Sequence, residues 1–159
     1  NHLLKLDFDS CLEFGIGNGE LYKIILQNFD CEFEGFDISE GRIIQFDENM
    51  NYHQIPYHRY KIFQSDFRNY IPLKKEYDLV CSSHFLLHIR PEHISTCIAM
   101  MVWLSKKYIV FFEPNPGFDF GEWANYNFRY EYQERFKEFG YDTEYYDFNK
   151  RTGLFLIKK

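Results

Sequence analysis

A glycine-rich turn near the start of the chain constrains the fold more than any other feature. The run Cys11-Leu12-Glu13-Phe14-Gly15-Ile16-Gly17-Asn18-Gly19-Glu20 predicts a short buried strand, a Gly-x-Gly-x-Gly turn and the start of a helix. Apolar residues at helical spacing support that helix, namely Leu21, Ile24, Ile25 and Phe29. A strand, a glycine turn and a helix N-terminus bring bare backbone close to a ligand, which is how nucleotide-like cofactors are held.

The position of the third glycine narrows the class of cofactor. A dinucleotide-binding fingerprint needs a glycine one position after Gly19, where this chain has Glu20. A phosphate-binding P-loop needs Gly-Lys-Ser or Gly-Lys-Thr, and the turn contains neither. The spacing that remains is the one used for S-adenosylmethionine, a cofactor that has no phosphate.

Predicted strands and helices alternate along the chain. Strands are predicted at residues 10–14, 32–36, 60–64, 77–81 and 108–112, and a closing hairpin at 143–148 and 153–157. Helices are predicted at 20–28, after Ser39, after Pro91 and over a face formed by Phe128, Tyr132, Phe136 and Phe139. This order predicts an α/β fold, a three-layer Rossmann-like sandwich around a seven-stranded, mostly parallel sheet with an antiparallel last strand. We expect residues 1–159 to form a single domain.

The ends of these strands carry candidate ligand-binding residues. Ligands bind beyond the carboxyl ends of the strands in such a sheet, so polar residues at those ends meet at one rim. Asp37 ends the second strand and can accept hydrogen bonds from both ribose hydroxyls, or it is an acidic turn residue before the helix that Ser39 begins. After the third strand, Asp66 can accept a hydrogen bond from an adenine amino group, and Phe67 can lie against the ring.

Several motifs occur in a fixed order from the first strand to the closing hairpin. They are Glu13 before the glycine turn, Asp37, Asp66-Phe67, Tyr77-Asp78-Leu79-Val80 and Ser82-Ser83-His84-Phe85-Leu86-Leu87-His88-Ile89. The ordered set resembles the class I S-adenosylmethionine-dependent methyltransferases of the small-molecule type. The last run is similar to that family's Ser-Asn-x-x-Leu-x-His-Ile.

The resemblance implies a set of residues that bind S-adenosylmethionine. They are Glu13, Gly15, Gly17, Gly19, Asp37, Ile38, Asp66, Phe67, Ser82 and Ser83. The glycines would pass close to the methionine part of the cofactor, and Glu13 would bind near its amino end. The ribose would be held by Asp37, and the adenine would be covered by Ile38 and Phe67 and read by Asp66. The two serines would line the sulfonium end.

His84 is the candidate catalytic residue. The sulfonium is already an activated methyl donor, so transfer depends mainly on alignment and distance. A base helps when the acceptor is a hydroxyl or a protonated amine. His84 follows the fourth strand, where the methyl group should emerge, and it either acts as that base or only lines the pocket. His88 matches a histidine that is frequent in the family and that more often packs than reacts.

Residues 114–132 form a candidate substrate-facing segment. Its aromatic side chains could cover an apolar or ring-shaped acceptor, and with one asparagine the set is Asn115, Phe118, Phe120, Trp123, Tyr126, Phe128 and Tyr130. Alternatively, Phe128 and Tyr132 belong to the core face of the last helix. Aromatic residues make up 21% of the whole chain, so their presence in this segment does not by itself indicate a lid. Few residues precede the first strand, so the pocket is open or its lid comes from this segment, a partner chain or a missing segment.

Charge and missing motifs favour a small-molecule acceptor. The net charge is −6, with acidic and basic residues mixed along the chain, which argues against nucleic acid as a partner. After the fourth strand there is neither the Asn-Pro-Pro-Tyr pattern of amino-methylating nucleic-acid enzymes nor the Pro-Cys of enzymes that attack a pyrimidine.

The four cysteines point to a reducing compartment. They form neither a Cys-x-x-Cys pair nor a metal-ligand spacing with the histidines, so we expect structural thiols and no metal. The sequence has no signal peptide, long apolar run or lipidation motif, and we expect a soluble cytoplasmic protein without membrane contact. The chain begins with Asn and not with Met, so we expect that it has been trimmed, cut from a longer parent chain or left incomplete at that end. Whether it forms an oligomer stays open.

The sequence thus predicts an enzyme, an S-adenosylmethionine-dependent methyltransferase that acts on the oxygen or nitrogen of a small metabolite or saccharide. A non-catalytic methyltransferase-fold subunit of a larger assembly and a protein or RNA methyltransferase are the alternatives. A nicotinamide-dependent oxidoreductase is disfavoured by Glu20 and by Asp66.

Overall fold

The computed structural model describes residues 2–116 and 127–159. The strands are β1 (Ser10–Phe14), β2 (Glu32–Asp37), β3 (Tyr60–Gln64), β4 (Tyr77–Ser83), β5 (Ser105–Pro114), β6 (Glu144–Asp147) and β7 (Thr152–Lys158). The α-helices are α1 (Glu20–Asn28), α2 (Glu40–Tyr52), α3 (Ile94–Leu104) and α4 (Tyr132–Lys137). The predicted bounds of β1, β3 and α1 are confirmed, whereas β2, β4 and β5 extend beyond theirs.

These seven strands form one sheet in the order β3-β2-β1-β4-β5-β7-β6. The strands from β3 to β5 pair in parallel, and β7 is antiparallel to both β5 and β6. The predicted mostly parallel sheet with an antiparallel last strand is therefore confirmed. The strand order reverses between β1 and β4, where Cys11 lies beside Leu79. Open α/β sheets bind ligands at such a reversal, outside the carboxyl ends of the strands.

Two clusters of buried side chains cover the two faces of this sheet. The first contains Tyr22 of α1 and Phe46 of α2, and the second contains Met101 of α3 and Phe136 of α4. Neighbouring residues of β1 enter opposite clusters, because successive side chains of a strand point to opposite faces. A central strand covered on both faces is apolar over most of its length, and Glu13 is the exception among the buried residues of β1.

The helix after β2 begins as the sequence predicts. Ser39 has extended backbone geometry, and its hydroxyl accepts a hydrogen bond from the Arg42 N–H at 3.3 Å. This is the geometry of an N-cap, which satisfies one of the free amides of the first turn. The capping residue lies two positions after Asp37, the last residue of β2.

The last helix is shorter than predicted. It runs from Tyr132 to Lys137, so the prediction that Phe128 and Phe139 belong to it is wrong. The Phe128 N–H donates to the carbonyl oxygen of Leu87 at 2.7 Å. This hydrogen bond holds Phe128 against the loop after β4, outside the helix. Tyr132 and Phe136 are buried on the core face as expected. Four aromatic residues of the substrate-facing segment lie outside the described residues, namely Phe118, Phe120, Trp123 and Tyr126.

The structure also bears on membrane spans, cysteine thiols and metal ligands. Within residues 2–116 and 127–159, no helix is both long enough and apolar enough to cross a membrane. All four cysteines are buried and free, and the sulfur atoms of Cys11 and Cys81 lie 3.6 Å apart on neighbouring strands. In the same two ranges, no group of His, Cys, Asp and Glu side chains is arranged to hold a metal ion.

Candidate functional site

A cleft of about 1070 Å³ opens at the carboxyl ends of the parallel strands. Its walls come from the glycine turn after β1 and from the loops after β2, β3 and β4, with Gly17, Ile38, Phe67 and His84 as examples. The cleft lies at the reversal of strand order, where such sheets bind ligands. Pockets for small molecules and cofactors occupy roughly 300–1,000 Å³, so there is room for a nucleoside-sized cofactor and a second small ligand.

The three glycines of the turn have different surroundings. All have positive φ, namely +69° at Gly15, +54° at Gly17 and +84° at Gly19, a conformation that glycine adopts readily. A Cβ atom on Gly15 would collide with the Phe85 ring, and one on Gly19 would lie 2.8 Å from Met50 Cε. On Gly17 it would meet no atom of the described residues within 4 Å. Gly15 and Gly17 line the cleft, whereas Gly19 is placed behind it as the N-cap of α1.

Asp37 connects the glycine turn to the start of α2. Its Oδ2 accepts the N–H of Gly17 at 3.0 Å, and its Oδ1 accepts the N–H of Ser39 at 2.9 Å. An ionised carboxylate has about four acceptor positions, so each oxygen retains capacity for a hydroxyl donor from a ligand. The neighbouring Ile38 also lines the cleft and is 66% exposed. A large apolar side chain in an open wall provides a surface for a flat apolar ring.

Glu13 places a buried carboxylate in the floor of the cleft. It is 1% exposed, and its Oε2 has no hydrogen-bond partner in the part of the chain that the structure describes. Burial, together with the nearby charge of Asp37, raises the pKa of Glu13 well above its usual value. A buried ionised group is stable only when it is paired. A cationic ligand group in the cleft would supply that missing partner.

Asp66 has a partner that the sequence analysis did not foresee. Arg68 donates to Asp66 Oδ1 through Nε at 2.9 Å and to Oδ2 through Nη2 at 2.6 Å. These hydrogen bonds hold the pKa of the Asp66 carboxyl below its usual value. An adenine amino group at Asp66 would therefore share an oxygen with the guanidinium. Phe67 is buried beside it and contributes to the wall of the cleft, as do Arg68 and His93.

The two serines at the end of β4 face different surroundings. The strand was predicted to end at Cys81, but it continues to Ser83, so the strand pleat places Ser82 and Ser83 on opposite faces. Ser83 lines the cleft. Ser82 is completely buried, is not part of the lining and has a hydroxyl without a hydrogen-bond partner among the described residues. Both were expected to line the sulfonium end, and the structure brings only Ser83 into the cleft.

His84 follows directly after β4 in a left-handed conformation, with φ +51°. Its N–H donates to the Phe112 carbonyl oxygen at 2.7 Å. The imidazole Nδ1 lies 3.3 Å from Ser83 Oγ, and Nε2 lies 3.3 Å from Thr152 Oγ1. Partial burial and the neighbouring His88 lower the pKa of the His84 imidazole. The ring is therefore neutral at physiological pH, which is the state that can accept a proton.

Glu113 is a site residue that the sequence analysis missed. It lies near the end of β5 and is completely buried. Its Oε1 accepts the N–H groups of Phe85 and Leu86, and its Oε2 accepts the N–H of Leu87 and the hydroxyl of Tyr132. Burial raises the pKa of Glu113 to about 7, although these hydrogen bonds act in the opposite direction. An acid at the end of an apolar strand was the available signal.

A smaller pocket of about 170 Å³ lies between the end of β5 and the start of α4. It is lined by Asn115, Phe128 and Tyr130, which are members of the predicted substrate-facing segment. None of these three side chains lines the large cleft. The described part of that segment therefore contacts the loop after β4, through the hydrogen bond from Phe128 to Leu87, and does not form the floor of the cleft.

Comparison of the sequence with protein families gives one match. Residues 11–107 match a family described as a methyltransferase domain. The matched range begins in β1 and ends in β5, so it contains every loop that lines the large cleft. Comparison with curated proteins finds no match.

Solved structures of methyltransferases have the same fold. A putative O-methyltransferase from Nostoc punctiforme has a TM-score of 0.80 at 16% identity, over 99% of this chain and 54% of that chain. An S-adenosylmethionine-dependent methyltransferase from Aquifex aeolicus has a TM-score of 0.78 at 13% identity, over 98% of this chain and 85% of that chain. Magnesium protoporphyrin IX methyltransferase from Synechocystis, solved with bound S-adenosylmethionine, has a TM-score of 0.73 at 15% identity, over 96% and 70% of the two chains. Identities this low establish a common fold only.

Proposed function

The chain belongs to the methyltransferase domain family, and on this premise we propose that it transfers the methyl group of S-adenosylmethionine to an oxygen or nitrogen of a small metabolite or saccharide. Methyltransferases of this family use that cofactor as methyl donor. The observation that carries the proposal is the buried Glu13 carboxylate with an unpartnered oxygen in the cleft. The ammonium group of the cofactor would satisfy it.

Residues along the cleft would hold the cofactor in a fixed order. Glu13 would accept from the amino group, and the bare backbone of Gly17 would leave space for the methionine part, because a side chain there would point into open space. The ribose hydroxyls would donate to Asp37. Ile38 and Phe67 would cover the adenine from the walls in which they lie.

The remaining predicted residues would contribute in three different ways. Asp66 would accept from the adenine amino group while it stays paired with Arg68. Ser83 would line the sulfonium end, and Gly15 would allow the Phe85 ring to pack on the turn. We assign Gly19 and Ser82 to supporting positions behind the cleft, since neither lines it.

His84 is the residue that we propose to take a proton from the acceptor. When bound, S-adenosylmethionine supplies a methyl group on a sulfonium that is already activated for in-line displacement. The protein must therefore align the acceptor and remove its proton. The imidazole of His84 is neutral, lies at the rim of the cleft and is oriented by Ser83 and Thr152. A hydroxyl or a protonated amine is the acceptor group that needs such a base.

The proposed acceptor is a small molecule. The net charge of −6 disfavours a polyanionic substrate, since binding to phosphates relies on excess positive charge. Two of the structural neighbours are named as an O-methyltransferase and as a methyltransferase of magnesium protoporphyrin IX. We propose that residues 1–159 act as one cofactor-binding domain in the cytoplasm, where the free cysteines stay reduced.

Calorimetry with S-adenosylhomocysteine, the product of the cofactor, tests the proposal. We expect saturable binding of one equivalent to the wild-type protein, and none of comparable strength for a nicotinamide dinucleotide. Lack of binding to S-adenosylhomocysteine would favour a non-catalytic subunit. If it binds, incubation with methyl-labelled cofactor and separate panels of small alcohols, phenols, amines, proteins and RNA identifies the acceptor class. Label that appears in protein or RNA alone would contradict a small-molecule acceptor.

A further inference from the structure

The loop that follows β4 is held to the end of β5 by four consecutive backbone amides. The His84 N–H donates to the carbonyl oxygen of Phe112 at 2.7 Å. The next three N–H groups donate to the carboxylate of Glu113, from Phe85 at 3.0 Å, from Leu86 at 2.7 Å and from Leu87 at 3.3 Å. Successive amides that converge on one anion form a concave binding site for it, and here the anion is a side chain of the same protein. We call residues 84–89 the rim loop.

The rim loop shapes one wall of the large cleft. His84 begins it at φ +51°, a conformation that persists in a residue with a side chain only when the surroundings hold it. The Phe85 ring lies so close to the glycine turn that a Cβ atom on Gly15 would collide with it. The side chains of His84 and Phe85 both line the cleft. Displacement of the rim loop would therefore move the candidate base and the support of the glycine turn together.

The same carboxylate also contacts the chain that leads into α4. The Tyr132 hydroxyl donates to Glu113 Oε2 at 3.2 Å, the oxygen that also accepts from Leu87. Nearby, the Phe128 N–H donates to the Leu87 carbonyl oxygen at 2.7 Å, and the Tyr130 hydroxyl donates to the Ile89 carbonyl oxygen. Residues 127–132 are thus attached to the rim loop directly at two points and to Glu113 at a third.

We propose that Glu113 is a positioning residue for methyl transfer: its buried carboxylate fixes the rim loop against the glycine turn and, through Tyr132, links that loop to residues 127–132. The assignment to methyl transfer rests on the proposed function, whereas the fixing of the loop does not. Glu113 does not line the cleft, so it acts on a bound cofactor through the backbone of residues 84–87. Hydrogen bonds from several amides to one carboxylate are individually stronger than neutral ones, which suits a rigid support.

The test compares Glu113→Gln with Glu34→Gln. Glu34 is also a buried carboxylate; it accepts from the hydroxyls of Tyr70 and Tyr77 and from the Leu73 N–H, and it lies away from the cleft. Glutamine keeps the shape of each side chain but presents an NH₂ group to donors. Two quantities are measured on each folded variant: amide hydrogen exchange resolved by residue, and the Kd of S-adenosylhomocysteine.

For Glu113→Gln we expect exchange at residues 85–87 to rise about tenfold or more over wild type, and the Kd to rise about tenfold. Glu34→Gln should lower thermal stability and leave both quantities unchanged. Equal effects of the two variants on the Kd would overturn the proposal, since Glu113 would then act through global stability only. Unchanged exchange at residues 85–87 in Glu113→Gln would overturn it as well.

Tyr132→Phe keeps the proposal testable if Glu113→Gln does not fold. It removes one hydroxyl that donates to Glu113, and Tyr77→Phe removes one that donates to Glu34 at 2.6 Å. Faster exchange at Leu87 and Phe128 in Tyr132→Phe, and not in Tyr77→Phe, supports the link; no change at either amide contradicts it. If wild type fails to bind S-adenosylhomocysteine, the proposed function fails, while the exchange results still decide whether Glu113 fixes the loop.

Discussion

The Asp37 carboxylate accepts the backbone N–H of Gly17 at 3.0 Å, so the acid that ends β2 fixes the turn that follows β1. Asp37 is the last residue of β2, and Gly17 lies in the turn after β1, the strand that pairs in parallel with β2. Hydrogen bonds to the ribose would use the acceptor capacity that this contact leaves. One carboxylate therefore contributes both to the shape of the glycine turn and to the proposed binding of the cofactor.

Replacement of Asp37 by alanine should weaken cofactor binding strongly. The variant removes the acceptor of two ribose hydroxyls and frees the Gly17 N–H, and each lost hydrogen bond of this kind is worth about 1–2 kcal/mol. We expect the Kd of S-adenosylhomocysteine to rise about 100-fold in calorimetry. Glu48→Ala removes an exposed acid from α2 and should change nothing. If Asp37→Ala binds as tightly as wild type, the ribose assignment is wrong.

Glu13→Gln should change binding and stability in opposite directions. Burial raises the pKa of Glu13, so the folded protein disfavours its charged form, and the destabilisation grows as pH rises above the usual carboxyl range. Glutamine removes that charge, and we expect a higher melting temperature of the ligand-free protein at about pH 8. The same change removes the partner of the cofactor amino group, so affinity for S-adenosylhomocysteine should fall.

The opposite pattern would identify Glu13 as a structural residue. In that case Glu13→Gln would melt at a lower temperature than wild type and bind S-adenosylhomocysteine with unchanged affinity. Thermal melts and calorimetry on the same samples distinguish the two outcomes.

Glu113 should give the protein a measurable dependence of stability on pH. Its pKa is about 7 in the folded chain, against 4.5 as the ordinary value. The folded state therefore binds the proton more tightly than the unfolded state, so the contribution of this group to stability is complete below about pH 4.5 and is lost as pH rises through about 7. The total loss is about 3 kcal/mol. The free energy of unfolding, measured with urea between about pH 4.5 and 8, should show this loss in wild type and not in Glu113→Gln. The same pH dependence in both proteins would contradict the prediction.

Local sequence signals were enough for most of the fold and for the positions of most residues predicted at the cleft. The glycine turn, the Ser39 cap and the acids at strand ends depend on neighbours within a few residues, and each lies where the sequence placed it. The last helix was predicted to begin too early, because the Phe128 N–H donates to the carbonyl oxygen of Leu87, which is distant in the sequence. A long-range contact of this kind overrides helical periodicity.

The missed parts of the site have the same physical origin. The role of Glu113 depends on the amides of residues 85–87, which no side-chain pattern reveals. The sequence also did not separate Ser82 from Ser83, because the strand that carries them runs two residues further than its apolar pattern. Pairing of β4 with β5 up to Ser83 and Phe112 sets that end, and pairing partners are distant in sequence.

His84→Asn tests whether the imidazole is a base or a wall residue. Asparagine tolerates the left-handed conformation that His84 adopts, so the rim loop should keep its backbone, while no proton acceptor of comparable basicity remains. We expect turnover to fall about 10²- to 10⁴-fold and the Kd of S-adenosylhomocysteine to stay within about threefold. In wild type the rate should rise with pH until the imidazole is neutral, and then level off. Full activity of the variant would make His84 a wall residue.

Alanine substitutions in the glycine turn should separate cofactor binding from folding. In Gly17→Ala the new methyl group meets no described atom within 4 Å, so the loss of stability should be about 1 kcal/mol, the cost of the left-handed backbone at φ +54°. Because Gly17 lines the cleft, we expect the same methyl group to occupy space needed by the cofactor and to raise the Kd of S-adenosylhomocysteine at least about tenfold.

In Gly19→Ala the Cβ would lie 2.8 Å from Met50 and 2.9 Å from Phe46, so the melting temperature should fall more than in Gly17→Ala. Melting curves and calorimetry on both variants decide: if Gly17→Ala binds the cofactor product as tightly as wild type, then the methionine part does not pass over Gly17, and the proposed position of the cofactor in the cleft is wrong.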